Sequence, residues 1–131
     1  MPAGEAFSDR QRSDLARAVR IAENDTGLRF SVYVGALGDD TRARALELHA
    51  QLGASASAAT LIAVDPGGRQ LEIVTGHEAK RWLDDYACGL GAISMTTQFT
   101  AGDLSGGIIN GLRTLSEHAR HPRTLHNDEP A

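Results

Sequence analysis

The 131-residue sequence is short of cysteine, aromatic residues and positive charge, and each shortage excludes a class of protein. Cys88 is the only cysteine, so the chain can form neither an intramolecular disulfide nor a metal site built from several cysteines. Aromatic residues make up 5% of the chain and the formal net charge is -4, which leaves few stacking surfaces for bases and no basic patch for phosphates. We therefore expect no nucleic-acid partner.

Long hydrophobic runs are missing as well. The apolar runs are only a few residues long, and residues 1–5 do not start a basic segment followed by a hydrophobic one. We therefore expect neither membrane insertion nor a secretory signal. Together these features predict a cytoplasmic protein.

What the sequence does contain is enough apolar material for one hydrophobic core. With 41% hydrophobic residues and four prolines, it has the composition of a single globular domain. We place that domain at residues 7–120, between a flexible N-terminus at residues 1–6 and a flexible C-terminal tail at residues 121–131.

The first part of the chain predicts a helix, a strand and a second helix. Ser8 and Gln11 have the spacing of a capping box, which predicts that a helix starts at this point, and Gly27 is suited to end it in the left-handed conformation. Apolar residues alternate over residues 28–34, as in a strand with one buried face. The helical pattern that follows is expected to close at Gly53.

The middle of the chain predicts a β-hairpin. Residues 59–64 are apolar almost throughout, as in a central strand that is covered on both faces, and residues 65–68 have the composition of a tight turn. Residues 70–75 then form the antiparallel partner. The first two strands are joined through a helix and should be parallel. These elements predict a small mixed sheet in a two-layer or three-layer α/β sandwich with about four helices.

The segment after the hairpin predicts helices broken by glycines. An amphipathic pattern begins after Gly76 and is interrupted at Gly89 and Gly91. Residues 92–99 have no turn signal and are predicted to be helical.

The final helix is expected to start at Asp103 and to end at Pro122. Gly106, Gly107 and Gly111 lie inside it, and each costs about 1 kcal/mol relative to alanine. One explanation is functional: the N–H groups of residues 105–107 would face an anion, or the Asp103 carboxylate would bind a cation. The other is structural: Asp103 is an N-cap, and the glycines let the helix approach the sheet closely.

Two aspartates at the start of the second helix form a second candidate site with the aspartate of the hairpin turn. Asp39, Asp40 and Asp65 all follow parallel strands, so they should emerge at the same end of the sheet, where ligands of open α/β sheets bind. An acidic patch at this end could hold a divalent metal ion. The alternative is that Asp39 or Asp40 caps a helix and that Asp65 starts a turn.

His77 and Glu78 resemble half of a zinc-protease motif. Arg81 stands where the second histidine of that motif would have to be, so we expect no zinc site. Glu78 remains a candidate ligand or acid, or it complements a helix start. Cys88 has no nucleophile motif around it and is predicted to be a small buried hydrophobic residue.

Several of these segments together resemble the TPM domain family. The resemblance spans residues 7–117, and its most specific element is the Gly-Asp-x-x-Gly-Gly pattern of residues 102–107. The segments that carry it are Phe7-Ser8-Asp9, Val32-Tyr33-Val34, Gly35-Ala36-Leu37-Gly38-Asp39-Asp40, Leu61-Ile62-Ala63-Val64, Leu71-Glu72-Ile73-Val74 and the start of the last helix from Phe99 to Ile108. The chain is also similar to a small actinobacterial group of TPM-like proteins of unknown function.

The resemblance implies an α/β sandwich. Members of the TPM family are bound to membranes or exported, and some are associated with calcium binding and weak acid phosphatase activity. By matching position, the resemblance nominates Asp39, Asp40, Glu78 and Asp103 as metal ligands, with Ca²⁺ as the implied cofactor. Our strand order puts Glu78 at the opposite end of the sheet from Asp39, so these four residues should not share one ion.

Three hypotheses about function follow. The first is a non-catalytic, TPM-like binding or assembly module that recruits a protein partner or a second copy, for example along an edge strand. The second is an acid phosphatase in which Asp39, Asp40 or Asp65 holds a divalent metal ion that polarises a phosphoryl group. The third is a homo-oligomeric structural protein.

Overall fold

The computed structural model describes residues 7–128, which form four α-helices and a three-stranded sheet. The helices are α1 (Asp9–Thr26), α2 (Thr41–Ala50), α3 (Asp85–Thr100) and α4 (Leu104–Asp128), and the strands are β1 (Arg29–Val34), β2 (Ala59–Asp65) and β3 (Gln70–Thr75). Short 3-10 helices occupy Gly53–Ala58 and Ala79–Arg81. The predicted flexible N-terminus at residues 1–6 lies outside the described residues, as do residues 129–131 of the predicted tail.

The sheet has the predicted mixed topology, with β2 in the centre. β1 and β2 are parallel and pair from Arg29 opposite Ala59 onward, while β2 and β3 form the antiparallel hairpin. Every residue of β2 before Asp65 is buried, which explains its almost wholly apolar sequence. The predicted small α/β fold is confirmed.

The two faces of β2 pack against different helices, so the domain has three layers. Ile62 and Val64 belong to the larger core, which also contains buried residues of α1, α3 and α4. Leu61 and Ala63 face the other way and form a smaller core with Ala45 of α2. Of the two-layer and three-layer sandwiches that the sequence allowed, the described residues form the second.

Helix α1 follows its local sequence closely. The Ser8 hydroxyl accepts a hydrogen bond from the Gln11 N–H at 3.0 Å, and the Gln11 side chain accepts one from the Ser8 N–H at 2.8 Å. Gly27 ends the helix with a φ of 75°. The predicted capping box and glycine terminus are both confirmed.

Helix α2 ends earlier than predicted. Its last residue is Ala50, and the predicted end, Gly53, instead opens the 3-10 helix Gly53–Ala58. The chain tightens here because the N–H groups of Leu52 and Ser55 donate to carbonyls three residues earlier. The chain between α2 and β2 is therefore largely 3-10 helical.

Helix α3 begins later than predicted and is not interrupted at Gly89 and Gly91. After β3, the Glu78 N–H donates to the Ser57 carbonyl at 2.9 Å, so the chain is first held against the 3-10 helix that precedes β2. Asp84 then caps α3 by accepting from the Ala87 N–H at 2.9 Å. The prediction that His77 and Glu78 open a helix that continues through residue 86 is thus wrong.

The glycines of α4 allow it to pack closely against α3 rather than against the sheet. A Cβ atom added at Gly111 would lie 2.5 Å from the Cγ of Met95, and one added at Gly107 would lie 2.6 Å from the Phe99 ring. Conversely, a Cβ atom at Gly91 of α3 would lie 3.1 Å from Leu115 of α4. The predicted close approach exists, but the helix that the glycines meet is α3.

The end of α4 also differs from the prediction. The helix continues through Pro122 to Asp128. A proline inside a helix removes one N–H donor and crowds the carbonyl four residues earlier, which is why the sequence favoured an end at this point, although its fixed φ is itself helical. The boundary that was placed at residues 120 and 121 therefore falls within α4.

Charged side chains form hydrogen bonds with backbone groups at both outer edges of the sheet. The Glu23 carboxylate accepts from the Phe30 N–H of β1 at 3.0 Å. On β3, the Arg42 guanidinium donates to the Ile73 carbonyl at 2.8 Å and lies 3.4 Å from Glu72. Such side chains hinder the addition of a further strand, which makes the edges poor sites for recruiting another chain.

Asp65 joins two loops at the end of β2. One carboxylate oxygen accepts from the Leu37 N–H at 3.0 Å, in the loop between β1 and α2, and the other accepts from the Gly68 N–H at 2.9 Å, in the hairpin turn. These hydrogen bonds favour the ionised form of Asp65. They lower its pKa below the ordinary value of 3.8, and the bond from Gly68 has the largest effect, followed by the bond from Leu37.

The contact between α3 and α4 predicts different effects for two glycine substitutions. Gly111→Ala should lower the free energy of unfolding by about 1–3 kcal/mol, because the new Cβ would overlap the fully buried Met95. Gly89→Ala is the matched control: its Cβ would meet no atom within 4 Å in the part of the chain that the structure describes, and alanine should stabilise the helix by up to about 1 kcal/mol. Urea denaturation at low protein concentration measures both. Equal effects would show that the contact with Met95 does not limit the helix separation.

The hydrogen bonds of Asp65 predict a pH-dependent stability. Because the pKa of Asp65 is lower in the folded state than the ordinary value of 3.8, its contribution is complete well above that value and is lost as the pH falls through the lowered pKa. Asp65→Asn should therefore destabilise the protein by about 1 kcal/mol at neutral pH, and the difference from the wild type should shrink in acid.

Asp39→Asn is the control for Asp65→Asn, since Asp39 is exposed in the loop that Asp65 contacts. Its stability difference from the wild type should stay small at every pH. Chemical denaturation of the three proteins across a pH series makes the comparison. A difference between Asp65→Asn and the wild type that does not change with pH would contradict the role assigned to the carboxylate.

Candidate functional site

Asp39, Asp40 and Asp65 lie in segments at the carboxyl-terminal end of β1 and β2. The bond from the Leu37 N–H to Asp65 brings the loop of residues 35–40 against the end of β2. Glu78 lies at the opposite end of the sheet, where its N–H bonds to Ser57, just before β2 begins. The predicted separation of Glu78 from Asp39 is therefore also correct.

Three of the five candidate carboxylates accept hydrogen bonds from backbone N–H groups. Asp40 caps α2 through the Ala43 N–H at 3.0 Å, and Asp65 binds the two loops described above. Asp103 caps α4 through the Gly106 N–H at 2.9 Å, and its other oxygen lies 3.3 Å from the Gln98 amide nitrogen. The side chains of Asp39 and Glu78 are exposed.

The arrangement of these carboxylates offers a metal ion few ligands. In the part of the chain that the structure describes, no group of three or more histidine, cysteine, aspartate or glutamate side chains is placed to hold an ion. Ca²⁺ takes six to eight oxygen ligands, so a single carboxylate at this end would have to be supplemented by several other oxygens.

The start of α4 has fewer free donors than the anion hypothesis required. The Gly106 N–H donates to the Asp103 carboxylate, and the Gly107 N–H donates to the Asp103 carbonyl at 3.0 Å. A Cβ atom at Gly106 would lie 2.1 Å from the Asp103 carboxylate, so this glycine makes room for the cap. The glycines at this helix start thus serve the cap and the contact with α3.

A cleft of about 500 Å³ lies between the hairpin turn and the turn that joins α3 to α4. We call it the hairpin cleft. Its walls are partly apolar, and polar side chains lie among them. The apolar lining residues are Val64, Leu71, Phe99 and Leu104, and the polar ones include Asp65, Arg69, Gln70, Thr96 and Thr100. It is open at the carboxyl-terminal end of β2, where ligands of α/β sheets bind.

Arg69 lines the hairpin cleft and was not among the site residues that we predicted from the sequence. It has a φ of 54°, which makes it the one non-glycine residue with positive φ among the described residues. The preceding glycine, Gly68, makes room for Asp65, since a Cβ there would lie 3.0 Å from the carboxylate. The feature of the sequence that could have indicated Arg69 is a charged residue placed directly after two turn glycines.

A second surface that the sequence did not single out is the outer face of α3. Tyr86 and Ile93 are 69% and 66% exposed, which is unusual for large hydrophobic side chains on one helix face. Gly89 lies between them, and a Cβ atom there would meet none of the described residues within 4 Å. We call Tyr86, Gly89, Ile93 and Thr97 the α3 outer face.

A smaller depression of about 330 Å³ lies on the other side of α4, against α1. Its lining includes Ile21, which is 51% exposed, together with Ile109 and Glu117. Ile21 is therefore an exposed apolar residue on a different helix from the α3 outer face.

Cys88 is half-buried rather than fully buried as predicted. Burial raises the pKa of its thiol, and the nearby Asp85 and Asp84 raise it further. Its Sγ lies 4.0 Å from the Leu83 carbonyl. Because the thiolate is the nucleophilic form, this environment disfavours nucleophilic chemistry at Cys88.

Over residues 7–128, no helix combines the length and the apolar character that crossing a bilayer needs.

Comparison with known proteins finds relatives in mycobacteria. Two uncharacterised proteins of Mycobacterium tuberculosis, Rv2468c of strain H37Rv and MT2543 of strain CDC 1551, are each 35% identical to this chain over 89 residues. The match covers 68% of this chain and 53% of each relative, so the chain spans about half their length.

Two solved structures have a similar fold. The NMR structure of the BA42 protein from the psychrophilic bacterium Bizionia argentinensis has a TM-score of 0.78 and 17% identity, and the match covers 86% of this chain and 81% of BA42. The NMR structure of the N-terminal domain of the P. gingivalis protein PgR37A has a TM-score of 0.76 and 17% identity, covering 95% and 82% of the two chains. At this level of identity the likeness concerns the fold alone.

A family model matches nearly the whole of the described domain, including the strands, both loops joined by Asp65 and about the first half of α4. The match runs over residues 1–116, and the family is described as a domain of unknown function. This chain therefore belongs to the DUF5130 family.

Proposed function

We propose that the chain is a TPM-like, non-catalytic assembly module that pairs with a second copy of itself through the α3 outer face. The observation that carries the proposal is Gly89. This glycine weakens a helix by about 1 kcal/mol relative to alanine, and no contact with the described residues requires it. A close approach by another backbone is a physical reason for a glycine at such a position.

The residues around Gly89 support a helix as the approaching partner. Tyr86 and Ile93 are exposed on either side of Gly89 along the helix, so an approaching helix could contact all three. The fourth member of the face, Thr97, donates its hydroxyl to the Ile93 carbonyl at 2.9 Å, so this donor is already satisfied within the helix. The face thus has bulky residues that gain from burial around a gap that can receive another helix.

The charge distribution supports a second copy as the occupant. The sequence has no charged residue between Asp85 and Asp103, so two α3 helices can meet without burying like charges. If two antiparallel copies cross at Gly89, Tyr86 of one lies close to Ile93 of the other. This gives the self-complementary contact that a two-fold interface requires.

The strength of such a pair is limited by its area. One helix face of 16 residues is about 24 Å long, so the contact should lie at or below the lower end of specific interfaces, about 1,200 Å² in total. The pair should therefore be weak, with a Kd above about 1 µM. The charged side chains on the outer strand edges also direct the proposed contact to α3 rather than to the sheet.

The self-association predicts an effect of Ile93→Lys that a matched substitution lacks. Sedimentation equilibrium over a range of protein concentrations should show reversible dimers for the wild type and monomers for Ile93→Lys, because lysine would place two charges in the interface. Ile21→Lys, at the other exposed isoleucine, should dimerise like the wild type. A wild type that stays monomeric at millimolar concentration would refute the proposal, as would equal dissociation of both variants.

The non-catalytic role predicts the absence of metal-dependent phosphatase activity. Chelator-treated protein should hydrolyse p-nitrophenyl phosphate no faster than buffer, with or without added Ca²⁺ or Mg²⁺. The double variant Asp39→Asn, Asp40→Asn should behave identically, and it should remain folded because asparagine caps helices about as well as aspartate. Metal-dependent turnover that the double variant loses would instead establish the phosphatase hypothesis.

A further inference from the structure

We infer that the hairpin cleft binds a small organic monocarboxylate with an apolar body, and that Arg69 holds its carboxylate. The inference concerns a different surface from the α3 outer face, so it does not depend on the proposed assembly. It rests on the conformation of Arg69, on the charges around the cleft and on the apolar wall behind it.

The conformation of Arg69 indicates that its side chain has a role at this position. The residue has a φ of 54°, in the region that glycine adopts readily and other residues adopt at a cost. Glycine is common in such turns and stands at both preceding positions. An arginine here therefore makes the turn less stable than glycine would, and this exposed arginine is one of the residues that line the hairpin cleft.

The charge of Arg69 is open to a ligand. Among the described residues, no carboxylate lies within ion-pair distance of its guanidinium. The carboxylate of Asp65 lines the same cleft, but both of its oxygens accept backbone N–H groups of Leu37 and Gly68. A planar guanidinium can pair with a carboxylate through two parallel, charge-assisted hydrogen bonds, which are about twice as strong as hydrogen bonds between neutral groups.

The neighbouring acids favour a monoanion over a dianion. Asp65 lines the cleft as a charged group, and Asp103 caps the helix whose first residue, Leu104, also lines it. These two carboxylates repel any anion, and they repel a phosphate monoester, which brings nearly two negative charges, about twice as strongly as a monocarboxylate. The start of α4 adds little attraction, because Asp103 already neutralises it.

The apolar wall favours a ligand with a hydrocarbon body. Val64 is buried behind the cleft, and Leu71, Phe99 and Leu104 are partly buried around it. Small-molecule pockets measure about 300–1,000 Å³ and combine such walls with a few polar groups. At about 500 Å³, the hairpin cleft can hold an aryl or alkyl chain whose carboxylate reaches the rim.

Titration of the full chain with phenylbutyrate tests the inference. Amide shifts in two-dimensional NMR spectra should change for Leu71, Thr100 and Gly102 around the cleft, and they should leave Gly76 at the other end of the sheet unchanged. Phenylbutanol has the same body without the charge, acetate has the charge without the body, and phenyl phosphate has the extra charge. Each should bind at least tenfold more weakly than phenylbutyrate.

Two substitutions separate the role of the guanidinium from that of the turn. Arg69→Gly and Arg69→Asn should each weaken phenylbutyrate binding at least tenfold, while the melting temperature of Arg69→Gly stays equal to or above that of the wild type. Arg20→Gln, which removes an exposed arginine from α1, should leave binding and melting unchanged. Ile93→Lys should also bind normally, so a failure of dimerisation and a failure of binding are distinguishable.

The inference is overturned if phenylbutyrate causes no saturable shifts, or if the shifts lie outside the hairpin cleft. It is equally overturned if phenylbutanol or phenyl phosphate binds as tightly as phenylbutyrate, or if Arg69→Gly and Arg69→Asn retain the wild-type affinity.

Discussion

The burial of both faces of β2 is the constraint on which the rest of the domain depends. A strand with no exposed face needs a helical layer on each side of the sheet. In this chain the two layers differ in size, because α2 alone covers one face while α1, α3 and α4 cover the other. β1 and β3 then become edge strands, and Glu23 and Arg42 occupy backbone groups along their outer sides. The loops at the end of β2 are likewise joined through a residue of β2 itself.

Features set by near neighbours in the chain could be predicted from the sequence. The capping box at Ser8, the glycine end of α1, the hairpin and the cap at Asp103 each depend on residues a few positions apart. The start of α3 depends instead on contacts of the chain after β3 with the segment before β2, such as the bond from Glu78 to Ser57. A helical pattern in the sequence cannot predict a hydrogen bond between residues so far apart in the chain.

The candidate site shows the same division. The meeting of the loop of residues 35–40 with Asp65 followed from the parallel strands, but the use of the carboxylates did not. Aspartate is both a good ligand and a good acceptor for backbone N–H groups, and only the coordinates show which oxygens are already bonded. The left-handed conformation of Arg69 and the open space beside Gly89 are likewise properties of the folded chain. Both surfaces proposed for binding therefore emerged from the structure.

The contact between Met95 and Gly111 has a consequence for how the sequence can change. The volume that glycine leaves empty on α4 is filled by the methionine of α3, so the two positions share one fixed volume. A larger residue at position 111 fits only if the residue at position 95 becomes smaller. The two positions should therefore vary as a pair among related sequences, because a protein that carries either substitution alone would be less stable.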